Sequence, residues 1–259
     1  MSAGRYPGAV TSTITDGGFL ALPQRGAGPF GAVIVCHERY GLVQHTMDLA
    51  ARFAAEGYVG LAPDLFSGWK GDRAALRRGE ARARLTDDEI IASLSRSLDV
   101  LLAHPQVDRT RIAVMGVCQS GGYPLLLNSV RPEVRANIVV YGGVGTDDDV
   151  IERITAPVLG IWGERDHVVS IEHVLRLRGS LEAHRKTYEF TLFRDMPHGW
   201  LNSTMPGRYR AAEAAQAWQL VVEFLGRAFS GAFPADRAHW TFQSNIAVSY
   251  DFTKNARLE

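Results

Sequence analysis

The chain alternates short, continuous apolar runs with longer stretches in which apolar residues recur at helical spacing. Residues 32–36, Ala-Val-Ile-Val-Cys, form the first such run, which is typical of a parallel strand buried on both faces. Residues 43–56 then carry apolar side chains at helical spacing, and Gly57 ends this predicted helix. The same rhythm predicts further strands at 58–61, 111–115, 136–141, 157–162 and 188–193, and further helices at 90–101, 119–130, 171–181 and 214–225.

Repeated strand–helix units of this kind indicate the fold class. We expect an α/β protein with a doubly wound, mostly parallel sheet flanked by helices. The first 22 residues are rich in Ser and Thr around Asp16-Gly17-Gly18, which predicts an antiparallel hairpin at one edge of the sheet. Residues 64–85 show no regular period and are expected to be irregular. No linker interrupts the pattern, so residues 1–229 are expected to form one domain.

The end of the chain departs from this pattern. Residues 230–259 carry five aromatic side chains without helical or strict strand periodicity: Phe233, Trp240, Phe242, Tyr250 and Phe252. Monomeric proteins rarely leave so much apolar surface in water. We therefore expect this C-terminal tail to pack either on its own domain or across a homodimer interface.

Composition narrows the classes of function. The 259 residues contain 28 Lys and Arg and 28 Asp and Glu, so the formal net charge is zero and no nucleic-acid or membrane-surface role is suggested. The N-terminus lacks a signal-peptide pattern, which predicts a cytoplasmic protein. The two cysteines are too few and too far apart for a disulfide framework or a CxxC motif. The histidines lack metal-ligand spacing, and residues 147–149 lack the alternating acids of a calcium loop, so no metal or organic cofactor is expected.

A nucleophile candidate lies between a predicted strand and a predicted helix. Residues 114–122 read Val-Met-Gly-Val-Cys-Gln-Ser-Gly-Gly, which matches the strand–turn–helix context of a nucleophile elbow centred on Cys118. The residue two before the nucleophile has to be small there, as Gly116 is. The backbone N–H of Gln119 would supply half of an oxyanion hole from a helix N-terminus. The alternatives are that Cys118 is an ordinary buried cysteine or that Ser120 is the nucleophile.

A thiol nucleophile needs a general base and an acid that orients it. Asp166 follows the strand predicted at 157–162, and His198 follows the strand predicted at 188–193. Both loops leave the same sheet edge as Cys118, the edge at which open α/β sheets carry their active sites. These residues predict a Cys118–His198–Asp166 triad.

Four other titratable residues lie close to these two loops in the sequence. Glu164 is the rival orienting acid, and Asp195 is a weaker rival because it precedes the histidine too closely. His167 and His173 are interpreted as surface or capping residues.

The loop after the first buried strand is expected to supply the second donor of the oxyanion hole. It reads Cys-His-Glu-Arg-Tyr-Gly over residues 36–41, and the backbone N–H of Arg39 is the expected donor. A carboxylate beside a thiol disfavours the thiolate by like-charge repulsion, unless the thiol donates a hydrogen bond to it. Glu38 is therefore interpreted as a switch acting on the thiol, with a solvated loop charge as the alternative.

Together these segments resemble the dienelactone hydrolase family, the thiol branch of the α/β-hydrolase fold. The resemblance spans roughly residues 10 to 228. It implies an α/β-hydrolase fold, a Cys118–His198–Asp166 triad, and a Glu38 that holds the thiol until substrate binding frees it. The motifs that carry it are His37-Glu38, Gly116-Val117-Cys118 with Gly121-Gly122, Gly163 with Asp166, and Pro197-His198-Gly199.

The chain departs from well-known members of the family at two points. Those members have Gly where this chain has Ser120, and they place an arginine shortly after the catalytic histidine as part of a clamp for a substrate carboxylate. Here the histidine is followed by Gly-Trp-Leu-Asn at 199–202. Spacing alone does not choose a clamp residue from the arginines at hand, which are Arg73, Arg77, Arg78 and Arg82.

The absence of an arginine shortly after His198 affects which substrate is expected. Trp69 and Trp200 are predicted to wall an apolar pocket. Neutral esters or lactones are therefore expected to react at least as well as anionic ones.

The sequence is thus interpreted as a hydrolase that cleaves a small-molecule ester or lactone through an acyl-thioenzyme. In this scheme Cys118 attacks, His198 accepts and returns the proton, and Asp166 orients the imidazole. The alternatives are an acyltransferase or serine-type esterase on the same fold, or a catalytically silent binding protein, since a fold does not by itself imply function.

Overall fold

The computed structural model describes residues 9–13, 17–234 and 236–244, and its secondary structure is built around one sheet. The strands are β1 (Ala9–Thr13), β2 (Phe19–Pro23), β3 (Phe30–Cys36), β4 (Val59–Ala62), β5 (Val107–Val117), β6 (Val134–Val140), β7 (Val158–Gly163), β8 (Tyr188–Phe193) and β9 (Trp240–Ser244). The helices are α1 (Gln44–Ala55), α2 (Arg73–Arg78), α3 (Asp87–Ala103), α4 (Tyr123–Asn128), α5 (Asp148–Arg153), α6 (Ile171–Ala183) and α7 (Ala211–Phe229).

The described strands form the sheet in the order β1-β2-β4-β3-β5-β6-β7-β8-β9. From β4 to β9 every neighbouring pair is parallel, whereas β2 pairs antiparallel with both β1 and β4. The doubly wound, mostly parallel sheet with an antiparallel edge hairpin, predicted from the sequence, is confirmed. Its central strand is β5, which runs directly into Cys118.

Helices cover both faces of this sheet. Along β3, Val33 and Val35 pack into one apolar cluster with α1 and α7, while Ala32 and Ile34 pack into another with α3. Because successive side chains of a strand point to opposite faces, this continuous apolar run is explained by a strand buried on both sides. The two clusters hold the sheet rigidly beneath the loops at its carboxyl edge.

Two short helices were absent from the sequence-based expectation. Residues 64–85 were expected to be irregular, yet they contain α2, whose N-cap Asp72 accepts hydrogen bonds from the backbone N–H groups of Ala74 and Ala75. In the acidic run at 147–149, Asp147 occupies the N-cap position of α5 without a side-chain hydrogen bond, and Asp148 and Asp149 lie in its first turn. Among the described residues, no helix has both the length and the apolar character needed to span a bilayer.

The described part of the C-terminal tail packs against β8 and α7. Residues 240–244 form β9, which extends the sheet beyond β8, although the sequence showed no strict strand period there. The ring of Phe233 lies 5.5 Å from that of Phe224 in α7. The indole N–H of Trp240 donates to the carbonyl of Lys186 at 2.9 Å. The remaining tail aromatics, Tyr250 and Phe252, lie outside the described residues.

Truncation after Ser230 is expected to destabilise the protein, because it uncovers the edge of β8 and the face of α7 under Phe233. Loss of one half-buried aromatic contact and a five-residue strand should cost about 2 kcal/mol, which lowers Tm by about 4–8 °C. Truncation after Ser244 is the matched control, since it leaves β9 in place. Scanning calorimetry of the two truncated chains measures the difference, and equal Tm values would show that residues 231–244 contribute nothing to stability.

Candidate active site

The carboxyl ends of five adjacent parallel strands bring the candidate residues to one edge of the sheet. Glu38 follows β3, Cys118 follows β5, Tyr141 follows β6, Asp166 follows β7, and His198 follows β8. Since all five strands run in the same direction, residues far apart in the sequence emerge next to one another.

Cys118 lies at the tip of a strained turn. Its φ of 57° is in the left-handed region, which residues with a Cβ rarely adopt, and a 3₁₀ turn over Cys118–Ser120 follows directly. A Cβ at position 116 would collide with the backbone carbonyl of Ser120, and one at position 121 would collide with the backbone of Gly142. These glycines are therefore required for the turn that presents the thiol.

Ser120 has a structural role in the same turn. Its hydroxyl oxygen accepts a hydrogen bond from the backbone N–H of Val117 at 2.9 Å. The hydroxyl proton faces the carbonyl oxygens of Val117 and Cys36, at 3.0 and 3.1 Å. Because the side chain is buried and its oxygen is engaged, Ser120 is poorly placed to attack a substrate.

A hydrogen-bonded chain links the thiol to a carboxylate. The Nε2 atom of His198 lies 3.1 Å from the Sγ atom of Cys118, and its Nδ1 atom lies 2.8 Å from the Oδ2 atom of Asp166. The other oxygen of Asp166 accepts hydrogen bonds from the backbone N–H groups of Val168 and Val169. Asp166 is thus held in one orientation, and it holds the imidazole in turn.

The environment of His198 favours its protonated form. Burial alone would lower the pKa of this imidazole, but the hydrogen bonds to Asp166 and Cys118 outweigh burial and raise the pKa to about 9. The side chain of Asp166 is fully shielded from solvent, so its charge acts on the ring with little screening. The arrangement therefore suits a base that takes a proton from the thiol.

The rival acids lie elsewhere. Glu164 accepts a hydrogen bond from the backbone N–H of Asp195 at 3.3 Å, and Asp195 pairs with Arg165 at 2.8 Å. Of the predicted acids, Asp166 is the one in contact with His198.

His167 and His173, interpreted from the sequence as surface or capping residues, both line the cavity, His167 as an exposed residue and His173 as a half-buried one in the first turn of α6. Nε2 of His173 accepts a hydrogen bond from the backbone N–H of Val144 at 2.9 Å. The ring of His167 lies 6.1 Å from that of His198. Within the described part of the chain, no group of three or more His, Cys, Asp or Glu side chains is arranged to hold a metal ion.

Glu38 is buried beside the site but is held by residues other than the thiol. One carboxylate oxygen accepts a hydrogen bond from the hydroxyl of Tyr141 at 3.1 Å, and the other accepts from the amide of Asn202 at 2.7 Å. The expectation that Glu38 holds Cys118 is thus corrected for this structure, in which the thiol contacts His198. Burial raises the pKa of Glu38, and its two hydrogen bonds partly oppose that rise.

The two residues predicted to supply the oxyanion donors both lie beside the site. Arg39 and Gln119 both line the same cavity as Cys118. The guanidinium of Arg39 donates to the carbonyl of Gly79, and the side-chain amide of Gln119 donates to the carbonyl of Ala83 at 2.8 Å. Both residues are thereby tied to the segment that joins α2 to α3.

The cavity above the thiol has a volume of about 740 Å³ and a cationic wall. Among the described residues that line it, Glu38 is the single carboxylate, whereas the arginines are Arg39, Arg82, Arg176 and Arg208. Of the arginines considered from the sequence, Arg82 reaches this cavity, while Arg73 pairs with Asp64 and Arg78 pairs with Glu80.

Arg208 was missed because it lies ten residues beyond His198 in the sequence. The backbone N–H of Arg210 donates to the carbonyl of Trp200 at 3.0 Å, which closes residues 200–210 into a loop that returns to the site. The spacing of residues in the sequence does not predict that this loop brings Arg208 back to the site.

Neither tryptophan predicted to wall the pocket is among the residues that line it. Trp200 is fully buried in the core, where its ring lies 4.7 Å from that of Phe193. Trp69 packs against the apolar cluster on the α3 side of the sheet. Because Gly199 has a φ of 80°, the chain turns sharply after His198, and the indole that follows enters the core instead of the cavity.

Comparison with known proteins identifies the family and the relatives of this chain. The Dienelactone hydrolase family matches residues 17–229. A protein of Methylorubrum extorquens, provisionally named a carboxymethylenebutenolidase, is 27% identical over 239 residues, covering 86% of this chain and 81% of that protein. Its counterpart of the same provisional name in Escherichia coli K12 is 28% identical over 221 residues, covering 80% of each chain.

Solved structures share the fold. A provisionally named dienelactone hydrolase from Klebsiella pneumoniae superposes with a TM-score of 0.74 at 24% identity, covering 85% of this chain and 98% of that one. A dienelactone hydrolase-like promiscuous phosphotriesterase from metagenomic libraries gives 0.73 at 22% identity, with the same coverage. With the family match extending over most of the sheet and every strand end that forms the site, the chain belongs to the dienelactone hydrolase family.

Proposed function

We propose that the protein hydrolyses small carboxylic esters or lactones, with Cys118 as the nucleophile. The observation that carries this proposal is the hydrogen-bonded chain from Asp166 through His198 to a thiol held at a strained φ of 57°. Such strain is typical of the turn that presents a nucleophile to its substrate. Packing alone does not explain why a residue with a Cβ, and not glycine, occupies this position.

The proposed reaction has two stages. His198 takes the proton of Cys118, and the sulfur attacks the carbonyl carbon to form a tetrahedral intermediate. The backbone N–H groups of Gln119 and Arg39 stabilise its oxyanion. His198 then protonates the leaving alkoxide, and a thioester remains on Cys118. In the second stage His198 takes a proton from water as the water attacks the thioester carbon; the C–S bond breaks, the acid is released, and His198 returns the proton to the sulfur of Cys118.

Two of the alternatives, a serine-type esterase and a silent binding protein, fit the observations less well. A serine-type esterase would use Ser120, whose buried hydroxyl is engaged within the turn. A silent binding protein has no need of a carboxylate and an imidazole aligned on a strained thiol. An acyltransferase would share the first stage and differ in using another acceptor in place of water.

Alkylation with iodoacetamide tests the proposed nucleophile. The protein has two cysteines, of which Cys36 is fully buried and Cys118 lines the cavity. We expect one carboxamidomethyl group per chain, located on Cys118 by peptide mass spectrometry, and a loss of activity towards 4-nitrophenyl acetate in proportion to labelling. Full labelling of Cys118 with unchanged activity would contradict the proposal.

We further infer that the substrate is anionic, which reverses the expectation from the sequence. Arg82, Arg176 and Arg208 line the cavity, and Glu38, the one carboxylate among the described residues that line it, is already engaged by Tyr141 and Asn202. A substrate carboxylate placed within this wall would gain charge-assisted hydrogen bonds.

The 4-nitrophenyl half-ester of adipate is therefore expected to exceed 4-nitrophenyl hexanoate in kcat/KM by about tenfold, the effect of one charge-assisted hydrogen bond of about 1.5 kcal/mol. Arg208→Gln should remove most of that preference, while Arg210→Gln, on the same loop but outside the cavity wall, should keep it. Steady-state kinetics with both esters measure this preference. Equal kcat/KM values in the wild type would contradict the anionic substrate and support the neutral one expected from the sequence.

A further inference from the structure

His37 is a fully buried side chain with two hydrogen bonds to the backbone. Its Nε2 atom lies 3.1 Å from the backbone nitrogen of Leu65, and its Nδ1 atom lies 2.8 Å from the carbonyl oxygen of Glu38. The ring of Phe66 packs edge-on at 4.5 Å. The imidazole therefore joins the loop after β3 to the loop after β4.

These contacts determine which nitrogen carries the proton. An N–H of Leu65 donates to Nε2, so Nε2 is the unprotonated acceptor and Nδ1–H donates to the carbonyl of Glu38. The Oδ1 atom of Asp64 is 4.0 Å from Nε2, too far for a hydrogen bond, and instead accepts from the backbone N–H of Phe66. Burial also lowers the pKa of His37 to about 4, which keeps the ring neutral at pH 7.

The carbonyl that His37 holds belongs to the peptide unit that contains the N–H of Arg39. In a planar trans peptide the C=O and N–H groups point in opposite directions, so fixing one fixes the other. The same carbonyl also accepts from the backbone N–H of Gly41 at 3.2 Å. Two donors on one side of the peptide thus determine the direction of the Arg39 N–H on the other side.

We propose that His37 is a positioning residue, which aims the Arg39 N–H at the oxyanion by holding the carbonyl of the same peptide unit. This inference rests on the proposed ester hydrolysis, in which Arg39 supplies the second oxyanion donor. His37 touches no substrate and moves no proton. Its effect should appear in the transition state, where the oxyanion forms, and not in the binding of the ester.

Two amide substitutions separate the roles of the two ring nitrogens. In His37→Asn the amide N–H takes the place of Nδ1–H and still donates to the carbonyl of Glu38. In His37→Gln the longer side chain takes the place of Nε2, accepts from Leu65, and leaves that carbonyl without a side-chain donor. His45→Gln is the matched control, because His45 is another buried histidine with its pKa lowered to about 4, located in α1 outside the site.

With 4-nitrophenyl acetate, His37→Asn should keep kcat within about threefold of the wild type, and His37→Gln should lower it by about tenfold to hundredfold with KM within twofold. Affinity for butyraldehyde should fall in parallel, since the thiol adds to its carbonyl and the resulting oxygen occupies the same hole. The His45→Gln control should change thermal stability alone.

The assignment would be overturned if His37→Asn had a lower kcat than His37→Gln, or if His37→Gln raised KM without lowering kcat. So would equal butyraldehyde affinity in the wild type and His37→Gln. If the wild type itself hydrolyses no ester, the proposed function fails, and the butyraldehyde affinities still decide the role of His37 because they need no turnover.

Discussion

Cys118→Ala is expected to reduce hydrolysis of 4-nitrophenyl acetate to the uncatalysed rate. Without the thiol no acyl-enzyme forms, and His198 and Asp166 have no nucleophile to activate. In enzymes whose nucleophile, base and acid act as a unit, loss of the nucleophile costs on the order of 10⁴-fold or more in kcat. Initial rates at saturating ester, together with mass spectrometry for a thioester adduct of the wild type, measure this effect.

Ser120→Ala is the matched control two residues away. It removes the acceptor for the backbone N–H of Val117 and should cost about 1–3 kcal/mol of stability, because a buried donor is left unpaired. The thiol keeps its base, so most of the activity should remain at a temperature where the variant is folded. Near-wild-type turnover by Cys118→Ala, or inactivity of a folded Ser120→Ala, would show that the nucleophile is misassigned.

Asp166→Asn is expected to have the second largest effect, a loss of about 10²–10⁴-fold in kcat. The amide no longer stabilises the imidazolium that forms when His198 takes the proton of the thiol. Burial, which lowers the pKa of His198, would then be opposed mainly by the contact with Cys118, so this pKa should fall from its value of about 9. Steady-state kinetics and NMR titration of the His198 ring measure both changes.

Glu164→Gln provides the comparison, because this carboxylate lies two residues away and contacts the backbone of Asp195. Its removal should leave kcat within about twofold, as expected for a substitution outside the hydrogen-bonded chain. Equal and mild losses in both variants would mean that His198 is oriented by some other group.

The architecture was accessible from the sequence because its signals are local. A continuous apolar run such as residues 32–36 and the helical spacing that follows it both arise within about twenty residues, and their alternation predicts a parallel sheet. The candidate nucleophile, acid and base could be chosen because each directly follows a strand. Parallel topology alone brings such positions to one edge.

Local signals failed where long-range contacts decide the conformation. β9 has no strand period of its own and forms because β8 offers an unpaired edge. The surroundings of Glu38 are assembled from Tyr141 and Asn202, which are 103 and 164 residues away in the sequence. No spacing rule relates these three positions.

By itself the sequence determined the alternation of strands and helices from β3 to α7, apart from the short helices α2 and α5, and the strand ends that carry Cys118, Asp166 and His198, since periodicity and turn residues act over short distances. The tertiary structure alone decided the character of the cavity. It placed Trp200 in the core and brought Arg208 back to the site, because the loop of residues 200–210 takes its path from the residues that it packs against. The predicted pocket was therefore apolar, and the one that the structure forms is cationic.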